Sequence, residues 1–382
     1  MRPELLKKTF YLKSELSELA IKLTEEISKE EVLAHWKKYQ PSPKYKYVIA
    51  EDGSFNKIHY LGFYLYSVSG YAVGFRKDGD YDEDVTGEVG LSVIKRTDLT
   101  DQYIKMLMFL CELKALLRLS FKVRPEILII DGTLSGRFIT VFPKADWFTS
   151  EEFEGKVSET AGELINDLKE NLYTSDITAF SKIIKEKVFY NLIKKLGEKG
   201  KRKDIFEATL AKLAYFEYLL LLHSLFYELS WNPVVIGLAK SSHSTEIFKK
   251  TIPDLRIFHQ IITSMGFSVP ELYVNLDELK WEFSEYFEKN IAQKLKEVSI
   301  KYFYGKYGKG NTISLIEVYE NPEKEQISPE YILDILSFYS VSGYPFLLKK
   351  ADNEVRITNK DMELIEELLG LKKEIRGREG LE

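Results

Sequence analysis

A chain of 382 residues with 45% apolar and 13% aromatic content can bury a sizeable core, and its length suggests about two to three domains or one large α/β domain with insertions. The net charge of −5 means that any contact with nucleic acid must come from local patches. The single Cys111 excludes an intramolecular disulfide and a cysteine-based zinc site and fits a reducing interior, and the five histidines contain no HxxxH pair. The amino terminus, MRPELLKKTF, lacks an apolar signal core, and the longest apolar stretch is broken by Glu217 and His223. A soluble, cytoplasmic protein without a membrane span is therefore expected.

Residues 3–40 read as helices, with Leu16, Leu19, Ile21 and Leu23 set among charges and a stop at Pro41-Ser42-Pro43. Such an arm either mediates self-association or packs on its own core. In the stretch Tyr47–Ser54, YVIAEDGS, Val48, Ile49 and Ala50 suit a buried strand. Gly53 is expected to break that strand and leave Asp52 at its end, facing a cleft. Dense Tyr, Phe, Leu and Val at Ile58–Ser69 and Tyr71–Phe75, a polar loop at Lys77–Glu83 and a segment near Glu88–Ile94 predict antiparallel strands. A helix from Thr100-Asp101 to about Leu119 is apolar nearly all round, hence buried. Within it, Glu112 has Met108, Phe109, Ala115 and Leu116 as helical neighbours and needs a partner. Arg118 or Arg124 would make it an internal ion pair; a metal or a reacting group would make it functional.

Glu126–Leu134, EILIIDGTL, repeats the pattern of an apolar run closed by Asp-Gly-hydroxyl. Each Asp-Gly alone can be a turn. Two neighbouring strands carrying Asp52 and Asp131 would share a site, where a hard divalent cation relieves the repulsion between the carboxylates. The order of strand, antiparallel strands, helix with Glu112 and strand with Asp131 is that of ribonuclease H-like folds, a likeness at the level of fold.

Residues 150–230 are helical in pattern and look inserted. Between Lys182 and Lys203 nine basic and two acidic residues give a net +7, around Phe189 and Tyr190. The run is either a solvated face or a phosphate-binding surface in which Lys194, Lys195, Lys199, Lys201, Arg202 and Lys203 contact DNA. Residues 205–229 read as a core helix. Asn232–Ser242, NPVVIGLAKSS, is a third buried strand ending in Lys240, which either snorkels to solvent or meets a scissile phosphate. Helices are expected at Asp254–Met265, Lys280–Lys296 and Glu330–Ser340, with strands near Ile300–Tyr304 and Thr312–Tyr319. SGYPFLLKKADNEVRI at 342–357 carries Asp352 after a turn, and the charged tail ends in KKEIRGREGLE, a disorder-prone composition.

Taken together, DGS at 52–54, the Glu112 helix, IIDGTL at 129–134, IGLAKSS at 236–242 and GYPFLLKKAD at 343–352 resemble the NurA family of archaeal nucleases, in family order across 45–358. The resemblance implies an α/β fold with a ribonuclease H-like mixed sheet flanked by helices. It divides the chain into a helical arm (1–44), a nuclease domain (45–358) with its helical insertion, and a C-terminal charged helix and tail (359–382). It implies degradation of DNA with Mn²⁺ or Mg²⁺, two ions in all, including 5′-to-3′ exonuclease and single-strand endonuclease activity. It also implies a homodimer docked on a HerA-type hexameric ATPase translocase in resection of double-strand breaks. The family's catalytic acids fall on Asp52, Glu112 and Asp131. Where the family has Ala-His after its GYP segment, this chain has Ala351-Asp352, so Asp352 is expected to replace the imidazole as a metal ligand. Two other readings are an inactive paralogue acting as a DNA-end adaptor and an Argonaute-like enzyme that cuts RNA.

Overall fold

The computed structural model describes residues 3–22, 27–95, 97–139, 143–276, 284–321 and 326–376. Its centre is a ten-stranded mixed sheet. The strands are β1 (Trp36–Lys38), β2 (Val48–Tyr60), β3 (Phe63–Phe75), β4 (Tyr81–Ser92), β5 (Ile127–Asp131), β6 (Val234–Ala239), β7 (Gly266–Ser268), β8 (Leu272–Tyr273), β9 (Ser299–Lys306) and β10 (Ser314–Glu320). Their spatial order is β1-β7-β9-β10-β6-β5-β2-β3-β4, with β8 paired to β9. The β2–β3–β4 meander is antiparallel, while β2–β5 and β5–β6 are parallel. That half of the sheet has the ribonuclease H-like order expected of the chain. The two-residue strands β11 (Ser340–Val341) and β12 (Tyr344–Pro345) form a separate hairpin.

Thirteen α-helices are described. The first six are α1 (Pro3–Lys22), α2 (Lys29–Ala34), α3 (Thr100–Val123), α4 (Leu134–Phe138), α5 (Glu154–Glu163) and α6 (Ile165–Glu170). They are followed by α7 (Lys182–Leu196), α8 (Lys203–Tyr227), α9 (Asp254–Ile261), α10 (Lys289–Lys296), α11 (Pro329–Tyr339), α12 (Phe346–Val355) and α13 (Asn359–Leu368). Because side chains alternate along a strand, the central strands feed two cores. Ile49, Val68, Ala72, Leu128 and Ile130 pack with α3 and α8 on one face; Val48, Ala50, Val73, Ile127 and Ile129 pack with α11 and α12 on the other. The long core helix read at 205–229 is α8, buried almost throughout. Its one acid deep in the core, Glu217, pairs with Lys114 of α3 at 2.7 Å and accepts the Thr178 and Ala179 amides at 2.9 Å.

Several expectations are corrected. Gly53 does not break its strand: β2 continues to Tyr60, and Asp52 sits within it. Gly53 lies opposite Gly70 of β3, and the absence of a side chain at both is steric in purpose. A Cβ on Gly70 would fall 2.2 Å from the Glu112 backbone nitrogen, and one on Gly53 would fall 2.0 Å from Glu112 Oε1. The second Asp-Gly does turn the chain, with Gly132 at φ +90°. The strand placed across 58–69 is split by a turn at Leu61-Gly62, and β4 starts at Tyr81, inside the expected polar loop. β1, in the part read as a helical arm, pairs with β7. Within the tail read as disorder-prone, Arg376 bridges Tyr60 and meets Glu366. Leu23, residues 280–283 and residues 377–382 lie outside the described residues.

Gly70→Ala should cost about 3 kcal/mol, the upper part of the range for overpacking, because the atom it meets is helix backbone. Gly155→Ala in α5, where an added Cβ has nothing within 4 Å, should leave stability unchanged or raise it by roughly 0.5 kcal/mol. Urea denaturation of the two variants checks the contrast.

Candidate active site

The parallel register pairs Glu51 of β2 with Ile130 of β5, so one step further Asp52 lies beside Asp131 on strands about 4.8 Å apart. Both side chains point to the α12 face. The Gly53 amide donates to Asp52 Oδ1 at 2.7 Å, and the Tyr344 hydroxyl donates to Asp131 Oδ1 at 2.9 Å. Lys240, just past β6, holds its Nζ 4.0 Å from the centroid of the Tyr344 ring. Burial first, and then the Asp131 and Glu112 carboxylates, push Asp52 up to about 7. Burial and the charge of Asp131 push the Tyr344 phenol well above its ordinary range.

Glu112 reaches the cluster from the opposite face, over Gly53. Its partner is neither Arg118 nor Arg124, which lie on or just beyond its own helix, but Arg137 of α4. Thr133 caps that short helix by accepting the Gly136 amide at 3.0 Å, and the Ser135 amide and hydroxyl both donate to Glu317 at 2.7 Å. Arg137 is thereby fixed. Besides Glu112, it donates to Glu51 Oε1 at 2.9 Å and to the Asp131 carbonyl at 3.2 Å, and its guanidinium lies 4.0 Å from the Phe109 ring centroid. Glu51 is fully buried, and its Oε2 has no hydrogen-bond partner among the described residues. Burial, then the Glu112 charge, lifts Glu51 well above the ordinary carboxylate range. Burial also raises Glu112, against the pull of Arg137.

The structure thus brings Asp52, Asp131, Glu112 and Lys240 to one place. Asp352 sits on α12 and faces the same region, since its charge adds to the upward shift of Asp52, but it is half exposed and bound by Arg356 at 3.0 and 3.2 Å. The six basic residues of the insertion lie elsewhere, on α7, at the start of α8 and between them. Lys195 pairs with Glu159 and Glu163, Lys201 with Glu198, and Arg202 with Asp204, all at 2.7 Å; Lys203 lies 3.6 Å from Glu207. Lys199 rests on the Phe153 ring, and Lys194 is exposed. Reading the chain alone missed Glu51, Arg137 and Tyr344. Glu51 could have been found as a charge on the opposite face of the strand from Asp52.

Chains of the same design are known. The NurA domain matches residues 46–357. The chain belongs to the NurA family of nucleases. A protein named probable DNA double-strand break repair nuclease NurA, from Methanocaldococcus jannaschii, is 28% identical over 84% of this chain and 77% of its own length. The DNA double-strand break repair nuclease NurA of Sulfurisphaera tokodaii is 23% identical over 90% and 87%. The crystal structure of the NurA nuclease from Sulfolobus solfataricus superposes with a TM-score of 0.67 at 20% identity, covering 97% of each chain. A NurA crystal structure bound to dAMP and manganese gives 0.66 at 18% identity, covering 97% of this chain and 99% of the other. These structures share the fold.

The donors suit a hard divalent cation: two carboxylates on one face repel each other, and each is oriented by a hydrogen bond. Among the described residues, however, no group of three or more His, Cys, Asp and Glu side chains is spaced to hold a metal ion. Glu112 is engaged by Arg137. Asp52 and Asp131 would therefore hold a cation first, with Glu112 joining through the oxygen that lies over Gly53.

An acid raised from 3.8 to about 7 keeps its proton in the folded state while the unfolded chain has lost it, so stability falls as pH rises through that window. In chelator, wild-type stability should drop between pH 5 and 7.5, with Asp52 contributing on the order of 2 kcal/mol. Asp52→Asn should flatten the curve, as thermal melts across that range would show. Arg137→Met leaves Glu51 and Glu112 without their cation and should cost roughly 3–5 kcal/mol above pH 7.

Proposed function

We propose that this chain is a metal-dependent deoxyribonuclease that works on DNA ends in double-strand break repair. The observation that carries the reading is the pair Asp52 and Asp131, side by side with Lys240 and Tyr344 on the face of the sheet away from α3 and α8. The relatives named as DNA double-strand break repair nucleases, and the NurA structure bound to dAMP and manganese, support DNA as substrate and Mn²⁺ as cofactor.

A bound divalent cation supplies Lewis acidity toward a phosphodiester. The protein's own residues do the rest. Asp52, whose Oδ1 is held by the Gly53 amide, and Asp131, oriented by Tyr344, would hold that cation and place the attacking water beside the phosphorus. Lys240, braced on the Tyr344 ring, faces the charge that develops on the phosphoryl oxygens. Tyr344 holds the Asp131 carboxylate in one orientation. Two ions require Glu112 to exchange Arg137 for metal, so calorimetric titration should count two in wild type and one in Glu112→Gln. Asp352 is proposed as an outer oxygen ligand once Arg356 releases it.

The finer reading is a 5′-to-3′ exonuclease and single-strand endonuclease that acts as a homodimer on a HerA-type hexameric ATPase. Exposed Leu6 and Phe10, one turn apart on α1, support self-association through the arm. No helix among the described residues is long and apolar enough to cross a membrane. The deciding assay incubates labelled single- and double-stranded DNA and RNA with Mn²⁺, Mg²⁺ or chelator. Cleavage of DNA in Mn²⁺ is expected, with a loss of at least about 10³-fold in Asp131→Asn and roughly 10²–10³-fold in Lys240→Ala. DNA binding without cleavage would make the chain an end adaptor; cleavage confined to RNA would place it with Argonaute-like enzymes.

A further inference from the structure

The mouth between α7 and the start of α8 is a cavity of about 680 Å³. Its apolar wall consists of Phe180, Phe189 and Phe206, and Lys182, Lys185, Lys201 and Lys203 surround it, with Glu186 as the one acid among the described lining residues. Phe189 is 44% exposed although it lies on a helix with a well-packed inner face, and its ring meets Phe206 edge-on at 6.5 Å and 77°. Lys185 Nζ lies 5.9 Å from the Phe180 ring centroid. Lys182 is 90% exposed, and its contact with Glu186 is long, at 4.0 Å. A second space of about 290 Å³ shares Phe180, Phe206, Lys185 and Lys203 with it and is lined as well by Tyr66, Tyr103, Phe148 and the carboxylates Glu88 and Glu207. Tyr66 is four residues along β3 from Gly70, roughly 13 Å from the notch that holds Glu112.

We propose that this groove binds single-stranded DNA, seating an unpaired base among the three phenylalanines with its phosphates on the lysine rim. Exposed aromatic rings cost free energy unless a flat apolar partner covers them, and a nucleobase provides that while its phosphate answers the surrounding ammonium groups. The charge distribution sets the direction. A phosphate is attracted to the four lysines and repelled by Glu88 and Glu207 of the adjoining space, so the backbone runs along the lysine rim and the base sits against the rings. A peptide helix would cover the rings equally well but would leave the lysines unanswered. The choice of DNA over RNA rests on the proposed nuclease function; the groove itself does not.

The test uses decathymidylate with one central 2-aminopurine, in chelator, read by fluorescence titration. Stacking should quench the probe on wild type. Phe189→Ala should abolish the quenching and weaken affinity about 5- to 150-fold, while Phe189→Trp keeps both. Lys182→Gln with Lys185→Gln should lower the slope of log affinity against log salt by about 1.4, or 0.7 per lost contact. Unchanged affinity and quenching in Phe189→Ala overturn the proposal, as does equal displacement of the oligonucleotide by oligoglutamate. Cleavage of DNA in Mn²⁺ is read separately. A wild type that cleaves while binding is indifferent to Phe189 removes the groove and keeps the nuclease; quenching that depends on Phe189 in a chain that cleaves nothing does the reverse.

Discussion

Everything at the candidate site depends on how closely α3 approaches the sheet. Gly53 and Gly70 face each other across β2 and β3, and a Cβ on either would collide with Glu112. The two missing side chains let the helix backbone settle onto the strands and place a carboxylate where a strand would otherwise present a methyl group. A helix packed at the usual distance of about 10 Å from a sheet would leave Glu112 short of the aspartates.

That approach creates an electrostatic problem. Glu51, Asp52, Glu112 and Asp131 converge where burial dominates the upward shifts of the first three. Arg137 answers for the two on the α3 face, at the price of its own desolvation, which Glu112 and Glu51 outweigh. Asp52 and Asp131, on the other face, have a phenol and an amide instead. Arg137 therefore serves two glutamates on the α3 face, while the aspartates on the other face stay short of positive charge, and Glu112 reaches toward them past Gly53.

The insertion follows different electrostatics. Five of its nine cations between Lys182 and Lys203 are drawn into ion pairs with Asp167, Glu159, Glu163, Glu198, Asp204 and Glu207. Exposed pairs of this kind contribute little to stability, so they leave the lysines available to a phosphate at small cost. The helices beneath are anchored by burial and by the Lys114–Glu217 pair in their core.

By itself the sequence determined the apolar runs that become β2, β5 and β6, the two buried helices, and Asp52, Glu112 and Asp131 as the acids that interrupt them, because period, apolar runs and interrupting charges are local signals. It misjudged Gly53, since a glycine that ends a strand and one that admits a helix look identical until the helix is in place. Only the tertiary structure decided that Arg137 holds Glu112. The two residues are far apart in sequence and belong to different elements, whereas Arg118 and Arg124 were near in sequence but on the wrong side of the helix or past its end. The same holds for Tyr344, delivered to Asp131 by a hairpin 213 residues further along the chain. Long-range pairs of this kind leave no periodic trace; packing of the elements selects them.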